Sequence, residues 1–253
     1  MRALIIAAGR GERFRPFTDE NPKPLIPLLG RPLIERIIDA VKAAGIRDII
    51  IVTGHLGWKI RSFLGDGSKY DVKIEYIDNK RWQLGNGVSV YEARRLIDEN
   101  FILLMSDHIF NPKILCEILD YQMNCDECVL CVDRHMRYVF DLEDATKVLV
   151  DRDRIIRIGK DLKYYNGVDM GIFLCSPVIF SVLDGNIQDG RYTLTEAVMR
   201  LAQDGKMKAY CFDNEEYYWM DIDTFRMKEI AEEILPVLEA RSTLLSVDWR
   251  EKH

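Results

Sequence analysis

Ala3-Leu4-Ile5-Ile6-Ala7-Ala8-Gly9-Arg10-Gly11-Glu12-Arg13, continuing through Phe14-Arg15-Pro16 to Lys23-Pro24-Leu25, is the stretch whose reading decides the fold. Its opening apolar run is the mark of a buried strand. The run breaks at two glycines into a loop carrying Arg10, Arg13 and Arg15, and Lys23 follows a proline-punctuated segment. Glycine lets backbone N–H groups approach a phosphate closely, and nearby cations offset its charge. Phe14 stands where a dinucleotide fingerprint needs its third glycine, and no Gly-Lys-Ser/Thr follows, so neither of those loops is present. A phosphate cradle is the expectation, weighed against a plain tight turn with solvated arginines.

Outward from that loop, Pro16, Pro22, Pro24, Pro27 and Pro32 hold five of the eight prolines, so the segment reads as stiff, extended and non-helical. Leu33, Ile34, Ile37, Ile38 and Val41 then fall at helical spacing up to Gly45, and Asp48 to Gly54 reads as a second buried strand. Strand, helix and strand in that order predict a βαβ unit and a parallel sheet. Trp58 to Leu64 reads as a short helix and Val72 to Ile77 as a strand. Asp78 to Ser89, rich in amides and glycines, reads as a loop before a helix over Val90 to Ile97. Amide side chains and bare glycine backbone suit the edge of a base, while the plainer reading is a surface turn.

Phe101 to Met105 is another apolar strand, ending in Ser106-Asp107-His108. A carboxylate at the carboxyl end of a buried parallel strand lies where open α/β sheets bind ligands, and it suits Mg²⁺ against phosphate oxygens. The competing role, a helix cap, falls better to Asn111, immediately before Pro112. His108 reads as packing or solvent-facing. Beyond about residue 126, short strands over Glu127 to Asp133, Lys147 to Asp151 and Arg154 to Ile158 suggest an antiparallel extension. Asn166 to Gly171 leads into a strand over Ile172 to Cys175, and Lys160 reads equally as a solvated charge. Thr193 and Glu196 have capping-box spacing at the start of an amphipathic helix. Asp221-Ile222-Asp223-Thr224 ends a strand and enters the final helix, with Asp223 placed either as its cap or, with Asp221, as a second metal carboxylate. No pattern marks the last dozen residues, and no repeat or linker divides the chain, so one domain is expected.

The 253 residues carry a net charge of −6, which excludes broad nucleic-acid or membrane-surface binding while leaving room for a local basic pocket. No apolar run approaches the roughly 20 residues that span a bilayer, so no membrane insertion is expected. No signal peptide is read before the first strand, and the six cysteines are expected to be reduced thiols in the cytoplasm. Cys125, Cys128 and Cys131 with His135 have a metal-like spacing, but on a strand residues three apart face opposite sides.

Taken together, the opening signature with Lys23-Pro24-Leu25 resembles that of nucleotidyltransferases that activate phosphorylated sugars and alcohols. The resemblance extends to the Asn79–Ser89 loop, Asp107, Gly159-Lys160 and Trp219-Met220-Asp221-Ile222-Asp223-Thr224. It is closest to the compact cytidylyltransferases, and among them to the inositol-1-phosphate enzymes. It implies an α/β, single-domain, Rossmann-like nucleotidyltransferase fold. Its mixed, mostly parallel central sheet would be flanked by helices, with a small antiparallel extension. Residues 1–125 would mainly bind nucleotide and 126–240 mainly the acceptor. The resemblance also implies transfer of CMP from CTP to inositol 1-phosphate with Mg²⁺ as cofactor, by a monomer or homodimer. Lys23, Arg13 and Lys160 would be catalytic; Ala7, Ala8, Gly9, Arg10, Gly11, Asn79, Gly87 and Ser89 would bind nucleotide. Gly167, Asp169 and Glu196 would bind the acceptor, and Asp107 with Asp223 or Asp221 would hold the metal. The alternatives are a nucleotidyltransferase acting on phosphocholine or a hexose 1-phosphate, and a regulatory nucleotide-binding module. Retention of Arg13, Lys23, Asp107 and Asp223 together speaks against the latter.

Overall fold

The computed structural model describes residues 1–212 and 217–250, with side chains through residue 241. The opening run forms β1 (Arg2–Ala7), and the proline segment that follows is not extended throughout. It holds the single turn α1 (Phe17–Glu20) and 3₁₀ turns at Glu12–Phe14 and Lys23–Leu25. Pro16 and Pro22 immediately precede two of these turns and Pro24 lies inside the last, positions where a missing N–H costs a helix nothing. A tight hairpin, β2 (Pro27–Leu28) and β3 (Arg31–Pro32), leads to α2 (Leu33–Ala43) and β4 (Asp48–Thr53). Next come α3 (Gly57–Leu64) and β5 (Lys73–Asp78).

The helix α4 (Asn86–Glu92) begins four residues earlier than the sequence suggests, so Gly87 and Ser89 are helical rather than part of a loop. Close packing drives this: a Cβ on Gly87 would lie 2.7 Å from the Tyr192 carbonyl oxygen. Strands β6 (Phe101–Met105) and β7 (His108–Phe110) precede α5 (Lys113–Leu119), whose Lys113 N–H donates to Asn111 Oδ1 at 3.0 Å. The second half supplies β8 (Cys128–Asp133), β9 (Lys147–Asp151), β10 (Arg154–Gly159) and β11 (Gly167–Cys175). Then follow α6 (Val178–Gln188), α7 (Leu194–Gln203), β12 (Met207–Phe212), β13 (Trp219–Asp221) and α8 (Phe225–Arg250), which runs into the last dozen residues.

Nine strands make one sheet in the order β5-β4-β1-β6-β11-β8-β12-β10-β9. The strands β5, β4, β1 and β6 are parallel, and β11 enters antiparallel to β6. The expected antiparallel extension is differently arranged: β8 lies inside the sheet, parallel to β12, while β9 pairs with both β10 and the start of β11. The segment 167–171, read as a loop, is the first half of β11. It bends at Gly171, whose φ of +66° is the left-handed region that favours glycine, and the register with β8 shifts there.

Alternation along β1 builds the two faces of the core, because successive strand residues point to opposite sides. Ala3, Ile5 and Ala7 join α2, α3 and α5 on one face; Leu4 and Ile6 join α4, α6 and α7 on the other. A third cluster around Phe14, Ile26, Leu28, Ile109, Met220, Ile222 and Leu235 clamps the glycine loop to β7, β13 and α8. That cluster fixes the functional residues at its rim. Cys128 and Cys131 are buried on opposite faces, so the metal-like spacing builds no site, and all six cysteines are free. No helix among the described residues is long and apolar enough to cross a membrane.

Candidate active site

Two lobes of one cleft meet at the carboxyl end of β6. One runs along the glycine loop and is lined by Gly9, Gly11, Glu12, Arg13, Lys23, Ser106 and Asp107. The other lies over β11 and includes Asp141, Asp144, Thr146, Lys160, Asp169, Thr195 and Trp219. Arg13, Asn86, Met105, Asp107 and Asp223 line both and so form the seam between the lobes.

The seam holds opposite charges from distant parts of the chain. Lys23 Nζ lies 2.5 Å from Asp107 Oδ2 and also donates to Asp223. Arg13 pairs with Asp223 and, at 2.5 Å, with Asp144, whose other oxygen lies 2.5 Å from Lys160 Nζ. Burial works against the Lys23 ammonium, but Asp107, Asp221 and Asp223 outweigh it and its pKa is raised. Burial likewise opposes the Asp223 carboxylate, yet Lys23 and Arg13 hold it well below the usual carboxylate range. Asp221 ends β13 and Asp223 follows two residues on, and both line the lobe over β11. Capping of α8 falls to Thr224, whose Oγ1 accepts the Met227 N–H at 3.2 Å, leaving Asp223 for the cleft.

His108 packs edge-on against Trp219, ring centroids 5.3 Å apart, as its packing reading expects, and it also borders this cluster. Its Nδ1–H donates to the Met170 carbonyl at 2.7 Å, and its Nε2 lies 3.7 Å from both Asp107 and Asp221. A Cβ on Gly171 would come within 2.3 Å of the ring, so the bend in β11 makes room for it. Asp107, His108 and Asp221 offer ligand atoms within 4.8 Å of one another. Asp221 Oδ1 is buried and finds no hydrogen-bond partner among the described residues, and burial pushes this acid up to about 7. An orphaned carboxylate oxygen beside two further aspartates is a hard oxygen donor set, and it fits a divalent cation.

The other expected site residues divide clearly. Gly9 lines the glycine-loop lobe, and Gly11, at φ +67°, could not carry a Cβ, which would meet Lys23 Cβ at 2.8 Å. Ala7 and Ala8 are buried at the strand end, with the Ala8 carbonyl accepting the His55 N–H. Arg10 turns to Glu12 and Asp19 and lines neither lobe. Asn79 and Ser89 are buried as a pair, Nδ2–H to Oγ at 2.9 Å, and Asn79 Oδ1 accepts the Arg81 N–H. Gly167 is a packing glycine, since its Cβ would strike Val132. Glu196 is taken by the capping box, accepting from the Thr193 backbone N–H at 2.9 Å, while neighbouring Thr195 faces the cleft. Asp169 does line the lobe over β11, pushed up to about 6 by burial against the Gly171 N–H it accepts.

Asp144, Asp141 and Thr146 carry no mark in the sequence, whereas Asn86 lies in the amide-rich 78–89 stretch. Asn86 Oδ1 accepts the Leu194 N–H at 2.8 Å, tying α4 to α7. The 141–146 segment is held by buried Lys147, which donates to the carbonyls of Glu143, Ala145 and Lys160.

The fold and this cleft define a nucleotidyl transferase, and the chain belongs to that family, whose model matches residues 2–137. It is 32% identical over 223 residues to the bifunctional IPC transferase and DIPP synthase of Aquifex aeolicus, covering 88% of this chain and 49% of that protein. The chain thus spans about half the length of the curated relatives it matches. The structure of the inositol-1-phosphate CTP transferase from T. maritima is similar at TM-score 0.82 and 24% identity, covering 94% of this chain and 96% of that one. A putative glucose-1-phosphate thymidylyltransferase from Bacillus anthracis is similar at TM-score 0.77 and 22% identity, covering 92% and 96%. At those identities the structural likenesses establish the fold.

Proposed function

We propose that the chain is a cytidylyltransferase that moves CMP from CTP to inositol 1-phosphate, releasing pyrophosphate. The Aquifex relative and the T. maritima structure, by their names, support the substrate pair. The observation that carries the reading is the acceptor-side lobe, where Lys160 stands beside Asp141, Asp144, Thr146, Asp169 and Thr195. A cation for the phosphate next to several carboxylates and hydroxyls suits a polyhydroxylated phosphate. A phosphocholine acceptor calls for an aromatic cage. Of Trp58, Trp82, Tyr164, Tyr165, Tyr217 and Trp219, Trp219 alone lines the lobe, where it is joined by Phe140 and the buried Phe173.

On this reading residues 1–125 mainly hold CTP and 126–240 the acceptor. Gly9 and Gly11 present backbone to the triphosphate, and Arg13 holds the departing pyrophosphate. Buried Asn79 and Ser89 shape the base loop from behind. Lys23 stabilises charge growing on the α-phosphate, and Lys160 orients the acceptor phosphate for in-line attack. No side-chain nucleophile is needed, because that phosphate is already anionic near neutral pH. Asp107 with Asp221 and Asp223 would hold Mg²⁺, which supplies charge neutralisation at phosphate oxygens. Catalysis is then positioning and electrostatic stabilisation. Phosphorus NMR of a reaction with CTP and inositol 1-phosphate tests this: two coupled pyrophosphate resonances of a CDP-alcohol support it, and unchanged CTP with an unmodified acceptor opposes it.

A further inference from the structure

We infer that His55 is a positioning residue for the glycine loop, acting through Thr18 on Gly11; the inference rests on the loop's proposed role in holding CTP. His55 follows β4 and lines neither lobe of the cleft. It grips both flanks of the loop. Its backbone N–H donates to the Ala8 carbonyl at 3.0 Å, where the loop leaves β1. Its ring Nε2–H donates to the Thr18 carbonyl at 3.1 Å, where the loop turns back. Thr18 is fully buried, and its hydroxyl donates to the Gly11 carbonyl at 2.9 Å. The same carbonyl accepts the Phe14 N–H at 3.0 Å, closing the turn that presents Arg13.

This chain of contacts matters because few of the loop's own side chains are buried. Of residues 11–20, only Phe14 and Thr18 are buried. Phe14 is held by the third core cluster, so Thr18 and the His55 ring behind it supply the other anchor. Trp82 packs against the ring, centroids 5.5 Å apart, and lies so close to Gly54 that a Cβ there would meet Trp82 Cβ at 2.7 Å. A cradle of backbone donors binds a phosphate well when its geometry is set beforehand, so loosening an anchor weakens nucleotide binding without touching the acceptor.

The experiment compares wild type with His55→Ala, His55→Gln and Arg13→Ala, measuring KM for each substrate, direct CTP binding and thermal unfolding. Losing one hydrogen bond of this kind should raise KM and Kd for CTP about fivefold, with the acceptor KM unchanged. The Gln amide N–H reaches the place of Nε2–H and should restore CTP binding. The inference is overturned if His55→Ala matches wild type, if both substrates' KM values rise together, or if Gln fails to restore binding. Should Arg13→Ala bind CTP normally, the loop reading falls and this inference with it. Weak CTP binding by Arg13→Ala beside a normal His55→Ala overturns the positioning role alone.

Discussion

Lys23 and Asp107, 84 residues apart in sequence, meet at 2.5 Å across the seam between the two lobes, and Asp223 closes the contact from the other side. A buried ammonium shared by two carboxylates is stable where it stands, and both of those carboxylates line both lobes. Replacing either Lys23 or Asp107 with alanine should lower kcat on the order of a hundred- to a thousandfold. Circular dichroism should show the fold retained. Near-normal turnover at saturating substrates by either variant would remove that residue from the chemistry.

Arg13 and Lys160 share Asp144, but Arg13 lines both lobes while Lys160 lines only the one over β11. Arg13→Ala should raise KM for CTP, and Lys160→Ala should raise KM for the acceptor. Each change should be about tenfold to a hundredfold, the cost of one charge-assisted hydrogen bond. Steady-state kinetics with each substrate varied in turn reads the split. Equal effects on both substrates would contradict the division of the cleft.

The Asp221 carboxyl gives a pH dependence with a definite sign. Its pKa rises from 3.8 to about 7 in the folded protein, chiefly through burial, so the folded state holds a proton that the unfolded state has lost. Its contribution therefore favours folding less as pH climbs from about 4 to about 7. Asp221→Asn should flatten that decline in melting temperature. Since a cation requires the ionised acid, Mg²⁺ should raise the wild-type melting temperature more at pH 8 than at pH 5. Thermal unfolding at both pH values, with and without Mg²⁺, checks both statements.

Glu196 separates structure from binding. With its carboxylate engaged by Thr193, Glu196→Ala should cost about 1 kcal/mol of stability, the worth of a cap, while leaving the acceptor KM unchanged. Denaturant unfolding alongside kinetics decides, and a raised acceptor KM at full stability would return Glu196 to the substrate.

The sequence made legible what is written locally. The strand ending in a glycine loop, the aspartate closing β6 and the Thr193–Glu196 cap are each patterns within a few residues. What escaped depends on long-range pairing. Asp144 is one acid among many until Arg13, 131 positions away, arrives beside it. His108 gains its role from the left-handed bend at Gly171 on another strand. Asn79 and the Gly87–Ser89 segment carry amides and glycines that suit a base-reading loop as well as a buried helix start. Packing against Tyr192 decided between them, and no local signal reports it. The proline-rich segment is not extended throughout because prolines admit short helical turns at their beginnings.

The most direct test of the account is Mg²⁺-dependent pyrophosphate release, crossing CTP, UTP, dTTP, GTP and ATP with inositol 1-phosphate, glucose 1-phosphate, mannose 1-phosphate and phosphocholine. Release chiefly from CTP with inositol 1-phosphate is the result expected. Release chiefly from another pair, or from none while CTP still binds, would contradict the proposed reaction.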